Sequence, residues 1–104
     1  MKELNLIVSG QALSKDNNSD WDNLIHGTKD EYLFTFEFDE TWNTVPKRAV
    51  FFRASEYETY MPILKDVCAL PNRISKYKKI YVSLICETEK GERIFTNEIE
   101  VKQK

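Results

Sequence analysis

The sequence predicts an all-β protein, an antiparallel, immunoglobulin-like β-sandwich of about six or seven short strands. Two observations carry this prediction. Apolar and polar residues alternate in several short segments, and turn-forming residues separate these segments at fairly regular intervals. The residues near Pro71–Tyr77 are the only helical candidate, and they suffice for one short helical turn. A small open barrel is the runner-up architecture.

The segment Tyr32–Phe38 is the clearest strand, because an aromatic residue occupies every second position. A period of two places Tyr32, Phe34, Phe36 and Phe38 on one face of a strand. This face must be buried, since a row of aromatic rings in water is an aggregation hazard. Burial of each ring stabilises the fold by about 2 kcal/mol. Trp42 is expected to fold back over the end of the same sheet.

Before the aromatic strand, the chain predicts one strand and one long loop. The strand covers Leu4–Val8 and ends at Ser9-Gly10. Residues 11–30 form the predicted loop, which contains a polar stretch and then a short strand or turn that docks through Trp21, Leu24 and Ile25. A loop of this length in a compact domain is usually functional or mobile. An insertion without a specific role fits the pattern equally well.

After the aromatic strand, further strands are predicted over Lys47–Arg53, Tyr57–Leu64, Ile80–Cys86 and Arg93–Val101. Pro71 suits the first position of the short helical turn. Alternation places Ile80, Val82, Leu84 and Cys86 on one face of their strand. The same rule places Phe95, Asn97, Ile99 and Val101 on one face of the last strand.

The strand Lys47–Arg53 is apolar on both faces, with Ala49 and Phe51 on one side and Val50 and Phe52 on the other. Only one of these faces can point into a two-layer core. We expect Val50 and Phe52 to face outward, covered either by the long loop with Trp21 as its anchor or by another subunit. The candidate interface is therefore Trp21, Val50 and Phe52. In the alternative, Phe52 is simply a core residue.

Composition restricts the classes of function. The 104 residues predict one domain, residues 1–104, and the net charge of −2 argues against nucleic acid and anionic membranes as partners. No apolar run approaches the roughly 18 residues that a membrane span needs, and the first residues do not have the pattern of a signal peptide. Cys68 and Cys86 do not form a disulfide framework, so both are expected to be reduced and buried.

No residue pattern indicates catalysis, a metal or a cofactor. His26 is the only histidine, and no nucleophile is placed beside it, so it is expected to be an ordinary loop residue. Together with Cys68 and Cys86 it matches no metal-ligand spacing. The aspartates of Asp16–Asp22 are not followed by the glycine and terminal glutamate of a calcium loop. A small hydrolase or metal enzyme is therefore the least favoured class.

A series of short motifs, in order and spacing, resembles a small β-sandwich domain of tailed bacteriophages and prophages, found in baseplate upper proteins, tail fibres and head-fibre proteins. The motifs are Phe36-x-Phe38-x-x-x-Trp42, Lys47-x-Ala49-x-Phe51, Tyr60, Cys68-x-Leu70-Pro71-x-x-Ile74, Ile80-x-Val82-x-Leu84 and Gly91-x-Arg93-Ile94-x-Thr96-Asn97. The resemblance covers about residues 32–101 and, to a smaller degree, the opening strand with Gly10-Gln11. The chain departs from the family at Asn43-Thr44, where members often carry Asp-Gly, at Cys86, where they often carry glycine, and in a longer Ser14–His26 segment.

The resemblance implies a non-enzymatic structural protein of the virion, an assembly or adhesion module of the tail, baseplate or head fibre. Its partners would be other virion proteins or copies of itself, as a homo-oligomer. It would be made in the cytoplasm of the bacterial host. A phage-encoded binding module that regulates or inhibits a host protein is the alternative. The family has no catalytic residues to transfer to this chain.

Overall fold

A computed structural model describes residues 2–24, 32–43 and 45–104, so Ile25 and His26 lie outside the described residues. Two β-sheets pack face to face around one hydrophobic core. The elements within the described ranges are β1 (Lys2–Ser9), β2 (Ala12–Lys15), β3 (Tyr32–Phe38), α1 (Glu40–Asn43), β4 (Lys47–Ala54), β5 (Tyr57–Pro62), β6 (Val67–Ala69), α2 (Asn72–Ser75), β7 (Lys79–Glu87), β8 (Arg93–Phe95) and β9 (Ile99–Lys102). The all-β prediction and the short helical turn after Pro71 are confirmed.

The four-stranded sheet has the order β2-β1-β3-β6, and the five-stranded sheet has the order β5-β4-β7, with β8 and β9 both paired to β7. All pairs but one are antiparallel within the described strands. The exception is β1 with β3, which run parallel with Leu6 opposite Phe36, so the prediction of a purely antiparallel sandwich is wrong. Parallel neighbours cannot be joined by a tight hairpin, and here the chain returns along β2 between β1 and β3.

The aromatic face of β3 lies in the core, as the sequence predicts. Phe34 is fully buried, and Tyr32 and Phe36 are less than one-tenth exposed. Trp42 is also fully buried in α1, and its ring stacks on Phe38 with the centroids 5.6 Å apart. Its indole N–H donates a hydrogen bond of 2.6 Å to the carbonyl of Gly10. The expected return of Trp42 over the end of the sheet is therefore confirmed.

The two faces of β4 are the reverse of the expectation. Val50 and Phe52 are fully buried in the core, and the Phe52 ring lies 5.7 Å from Phe34 of the opposite sheet. Ala49 and Phe51 point outward instead. Apolar character alone does not distinguish the faces of such a strand. Pairing with β7 does, because Val50 and Phe52 lie opposite Leu84 and Val82, which are on the buried face of β7.

The predicted loop over residues 11–30 begins with a strand. Gly10, at a φ of +58°, allows a tight turn that returns β2 along β1, with Ser9 opposite Ala12. Further along, Leu24 is fully buried, and the half-buried ring of Trp21 lies 6.5 Å from Phe34. The expected docking through Trp21 and Leu24 is confirmed.

The predicted last strand is divided into β8 and β9 by a bulge. In β8, Phe95 lies opposite Ile85, but in β9 the register is shifted by one residue, so that Ile99 lies opposite Val82. Asn97 lies in the intervening segment. Because of the shift, Phe95 faces outward and is 50% exposed, whereas Val101 is buried. The expected common face of Phe95 and Val101 is wrong for this reason.

Candidate protein-binding surface

The outer face of the five-stranded sheet carries a band of apolar side chains. Cross-strand pairing places Pro62, Ala49, Ile85 and Phe95 in one row, and Tyr60 and Phe51 in the next. We call these six residues the apolar band. The Phe51 and Tyr60 rings stack with their centroids 4.7 Å apart, and Tyr60 is 58% exposed. A contiguous apolar patch on a sheet face is typical of an interaction site.

A groove lies at one end of the apolar band. Its volume is about 600 Å³, and it is lined by residues 46–49, Tyr60, residues 62–64, residues 85–87 and Arg93. Leu64, at its edge, is 68% exposed. The groove therefore extends the band with further apolar surface next to positively charged side chains.

Charged side chains border the apolar band at both ends. At one end, pairing aligns Lys47, Glu87 and Arg93 on β4, β7 and β8; we call this the basic end. At the other, Glu58, Arg53, Tyr81 and Glu100 lie in one row, with Glu98 beside it and Lys79 opposite Lys102 in the next row; we call this the mixed-charge end. The first end thus has a small surplus of positive charge, whereas the second carries charges of both signs.

Arg53 is held in place at the mixed-charge end. Its guanidinium donates to both carboxylate oxygens of Glu98, at 3.2 and 3.0 Å, and lies over the Tyr81 ring at 4.2 Å. The hydrogen bond to Glu98 raises the pKa of Arg53. Glu98 is paired with Arg53 at 3.0 Å and Glu100 is paired with Lys102 at 3.6 Å, so most of the charge at this end is compensated locally.

The outer face of the four-stranded sheet is polar by contrast. The Asn5 amide donates to Asp16 and Glu37 at 2.9 and 3.1 Å, and the Thr35 hydroxyl donates to Asn5 at 2.7 Å. The backbone N–H of Asn18 and then the Asn5 amide lower the pKa of Asp16. Because its polar groups are satisfied within the sheet, this face offers less to a partner than the apolar band does.

The aspartates that faintly suggested a calcium loop bind neighbouring groups instead. Asp20 accepts hydrogen bonds from Asn23 and Lys2, which together lower its pKa to about 2. Within the described ranges, no three His, Cys, Asp or Glu side chains are grouped so that they could hold a metal ion. Neither helix in the described part of the chain is long and apolar enough to cross a membrane.

Both cysteines are free thiols in the core. Burial raises the pKa of Cys68 from 9.0 to about 11, and it also raises the pKa of Cys86. The thiolate is the reactive form of cysteine, so neither side chain is prepared for nucleophilic chemistry at neutral pH.

We expect neither thiol to react with iodoacetamide at pH 8 in the folded protein, and both to react once it is unfolded. Because the folded pKa of Cys68 is raised, the stability linked to its protonated form is present at neutral pH and is lost as the pH rises from about 9 to about 11. Mass spectrometry of native and denatured samples measures the labelling, and Cys68→Ala and Cys86→Ala variants assign it. Rapid native labelling of either thiol would contradict its burial.

The predicted interface residues lie in or against the core rather than on an open patch. Trp21 and Phe52 both pack on Phe34, and Val50 is fully buried beside them in β4. The exposed residues of the surface, Tyr60 and Phe95, were missed by the sequence reasoning. Tyr60 lies opposite Phe51 in the pairing of β5 with β4. The pairing of β4 with β7 determines which face of β4 is buried, and therefore also which face of β5 is exposed. This pairing is the signal that could have identified Tyr60.

Comparison of the chain with protein-family models, with curated proteins and with solved structures finds no match. The surface geometry and the motif resemblance are therefore the two grounds on which a function can be argued.

Proposed function

We propose that the protein is a non-enzymatic binding module that acts through the apolar band. In this proposal it is a structural protein of a bacteriophage or prophage particle, an assembly or adhesion module of the tail, baseplate or head fibre. The immunoglobulin-like relationship implied by the motifs is part of the same proposal, and the two packed sheets support it. The single observation that carries the binding role is the apolar face itself.

The apolar band has the composition of an interface core. It combines stacked aromatic rings, Phe51 and Tyr60, with aliphatic neighbours and a charged border. Aromatic side chains are favoured anchors in interface cores, and charged residues are favoured at the rim. Each apolar side chain of the band that a partner covers contributes free energy by leaving water. Binding therefore explains why this solvent-facing sheet surface is apolar.

The virion role is tested on purified phage particles from an induced host. Immunogold microscopy and mass spectrometry should detect the protein in the particles. A Tyr60→Glu variant should be reduced in the particles, while Ile7→Glu, on the outer face of the four-stranded sheet, should be retained. Ile7 is a matched control because it is a 36% exposed strand residue that faces away from the band. Particles without the protein would contradict the proposal.

The alternative, a module that regulates a host protein, would use the same band and groove. Here the wild-type protein would stay in the soluble fraction and capture a host protein that Tyr60→Glu fails to capture. Its absence from particles, together with this capture, would replace the virion proposal.

A further inference from the structure

We infer that the free edge of β5 binds an extended peptide segment of a partner protein, which joins the five-stranded sheet as a further strand. The free edge is the side of Tyr57–Pro62 that faces away from β4. Because this edge is a different surface from the apolar band, its binding adds to the proposed role of the band. Two features of the edge lead to this assignment, its open backbone groups and a groove beside it.

The direction of the backbone groups of β5 follows from one hydrogen bond. The Ile63 N–H donates to the Arg48 carbonyl at 3.0 Å, in the register that continues the pairing of β5 with β4. Hydrogen-bonded and non-hydrogen-bonded pairs alternate along an antiparallel ladder, so every second residue of β5 directs its backbone groups away from β4. These residues are Glu58, Tyr60 and Pro62, of which proline supplies a carbonyl only. In the described part of the chain, these outward groups have no hydrogen-bond partner.

The other sheet edges among the described strands are closed or interrupted. At β2, the Asn97 side chain bonds both backbone groups of Leu13, and the Asn97 N–H donates to the Gln11 carbonyl at 3.3 Å. The register shift at Asn97 interrupts the edge formed by β8 and β9. At β6, which has three residues, Leu64 exchanges hydrogen bonds of 3.3 and 3.1 Å with Val67. Natural sheets commonly protect their edges in such ways, and β5 is the continuous edge without this protection.

A groove lies beside the free edge, between β5 and α2, and we call it the α2 groove. Met61 and Thr59 lie opposite Val50 and Phe52, which are fully buried, so the side chains of Met61 and Thr59 are on the inner face of β5. A strand added at the free edge would therefore direct every second side chain into the α2 groove. The volume of this groove is about 300 Å³, and its lining includes Tyr57, Thr59, Met61, Pro71, Arg73 and Ile74.

The chemistry of the edge specifies an extended peptide. The open groups are backbone donors and acceptors on every second residue, and a neighbouring strand presents matching groups at the same spacing. Side chains of the added strand on the inner face would enter the α2 groove. Those on the outer face would lie beside Tyr60, which is 58% exposed. We therefore expect a segment with apolar residues at alternate positions and no proline where its N–H groups pair with β5.

A second copy of β5 fits this edge less well than a peptide of another protein. In a pair of β5 strands, the inner side chains offered to each α2 groove would be Tyr57, Thr59 and Met61 of the other copy. These side chains already line their own groove, and the Tyr57 ring lies 5.7 Å from Tyr77 of the same copy. The groove would then receive no additional apolar side chain. A separate peptide can supply one.

Panning a displayed library of random peptides of about eight residues, the length of a typical strand, against the full chain tests the inference. A synthetic copy of a selected peptide should bind with a dissociation constant of about 10–100 µM. In hydrogen exchange followed by NMR, the bound peptide should protect the amides of Glu58 and Tyr60. The amides of Thr59 and Met61 face β4 and should change little. A library that gives no binder, or a bound peptide that leaves Glu58 and Tyr60 unprotected, overturns the inference.

Glu58→Pro removes one outward N–H of the free edge. Because this N–H does not bond to β4, and proline is tolerated in edge strands, the variant should remain folded by circular dichroism. It should weaken peptide binding by about tenfold, as expected for the loss of a backbone hydrogen bond. Glu58→Ala is the matched control, since it removes the same side chain but keeps the N–H, and it should bind within about threefold of wild type. Equal affinities of the two folded variants overturn the inference.

A second pair of variants tests the groove and does not depend on the folding of Glu58→Pro. Asn72 is an exposed residue of α2 that lines the α2 groove, so Asn72→Trp should fill the groove and weaken peptide binding by about tenfold. Asn43→Trp places the same side chain at an exposed position of α1 and should have little effect. Peptide binding by Asn72→Trp at wild-type affinity contradicts the inference.

Phe51→Asp separates this inference from the proposed function, because it changes the apolar band and leaves the backbone groups of the free edge in place. It should bind the peptide as the wild type does, and its amount in particles reports on the band alone. A peptide that binds Glu58→Pro but not Phe51→Asp uses the band and overturns the inference. Protection of the Glu58 and Tyr60 amides that rises with protein concentration in the absence of peptide would identify a second copy as the occupant, and it also overturns the inference.

Discussion

Replacing Phe34 with alanine is expected to lower the free energy of unfolding by about 3–5 kcal/mol. The Phe34 ring is fully buried and lies between Trp21, at 6.5 Å, and Phe52, at 5.7 Å, so it joins the two sheets. Its removal leaves a cavity that the surrounding strands cannot close. Since small domains are stable by about 5–15 kcal/mol, the loss is a large part of the total. Denaturation in urea, followed by circular dichroism, measures it.

Phe95→Ala is the matched control, because it removes the same side chain from a position that is 50% exposed. The expected loss is under about 1 kcal/mol. Equal losses for Phe34→Ala and Phe95→Ala would mean that the core is not centred on Phe34.

Asn97→Ala is expected to lower the free energy of unfolding by about 2–3 kcal/mol, because it removes two hydrogen bonds between the edge strand β2 and the other sheet. The Asn97 side chain accepts a hydrogen bond from the Leu13 N–H at 2.7 Å and donates one to the Leu13 carbonyl at 3.1 Å. The Asn97 carboxamide thus makes the two hydrogen bonds to the Leu13 backbone that a neighbouring strand would otherwise make. Alanine leaves both backbone groups of Leu13 without these partners.

Gln11→Ala provides the comparison for Asn97→Ala. Its side chain donates a single exposed hydrogen bond of 3.2 Å to the carbonyl of Phe95, so the expected loss is under about 1 kcal/mol. Native-state hydrogen exchange gives a second measurement, since the Leu13 amide should lose protection in Asn97→Ala and retain it in Gln11→Ala. Unchanged protection of Leu13 in both variants would show that the Asn97 contact does not hold β2.

The strands that alternate cleanly could be predicted from the sequence. In β7, Ile80, Val82, Leu84 and Cys86 are all buried, and their neighbours are not. In β3, the aromatic residues allow one buried face only. Where a single face is apolar, the hydrophobic effect leaves one choice of orientation, and the sequence pattern is then sufficient.

Three features depended on long-range pairing and could not be predicted. The orientation of β4 is set by its register with β7, because both of its faces are apolar. The register shift at Asn97 turns Phe95 outward, although a continuous strand would place it on the side of Val101. The parallel pairing of β1 with β3 joins two strands that are separated by β2 in the sequence, and the pattern within either strand does not specify its neighbour.

The candidate surface shows the same division between local and long-range information. The sequence indicates that β4 has a second apolar face available for contact, and the structure places such a face on the outside. The sequence analysis assigns Val50 and Phe52 to the outer face, however, whereas Ala49 and Phe51 occupy it in the structure. Tyr60 and Phe95 join the surface only through strand pairing, which no local pattern contains.

The chain passes between the two sheets three times, so neither sheet comes from one continuous segment. The four-stranded sheet takes β1, β2, β3 and β6, and the five-stranded sheet takes the strands between and after them. A nascent chain therefore presents the aromatic face of β3 before β7, the centre of the opposite sheet, has been synthesised. Non-local topologies of this kind fold slowly, and their incomplete chains expose apolar surface. The yield of correctly folded protein in a cell thus depends on the time between the synthesis of β3 and the synthesis of β7 on the ribosome.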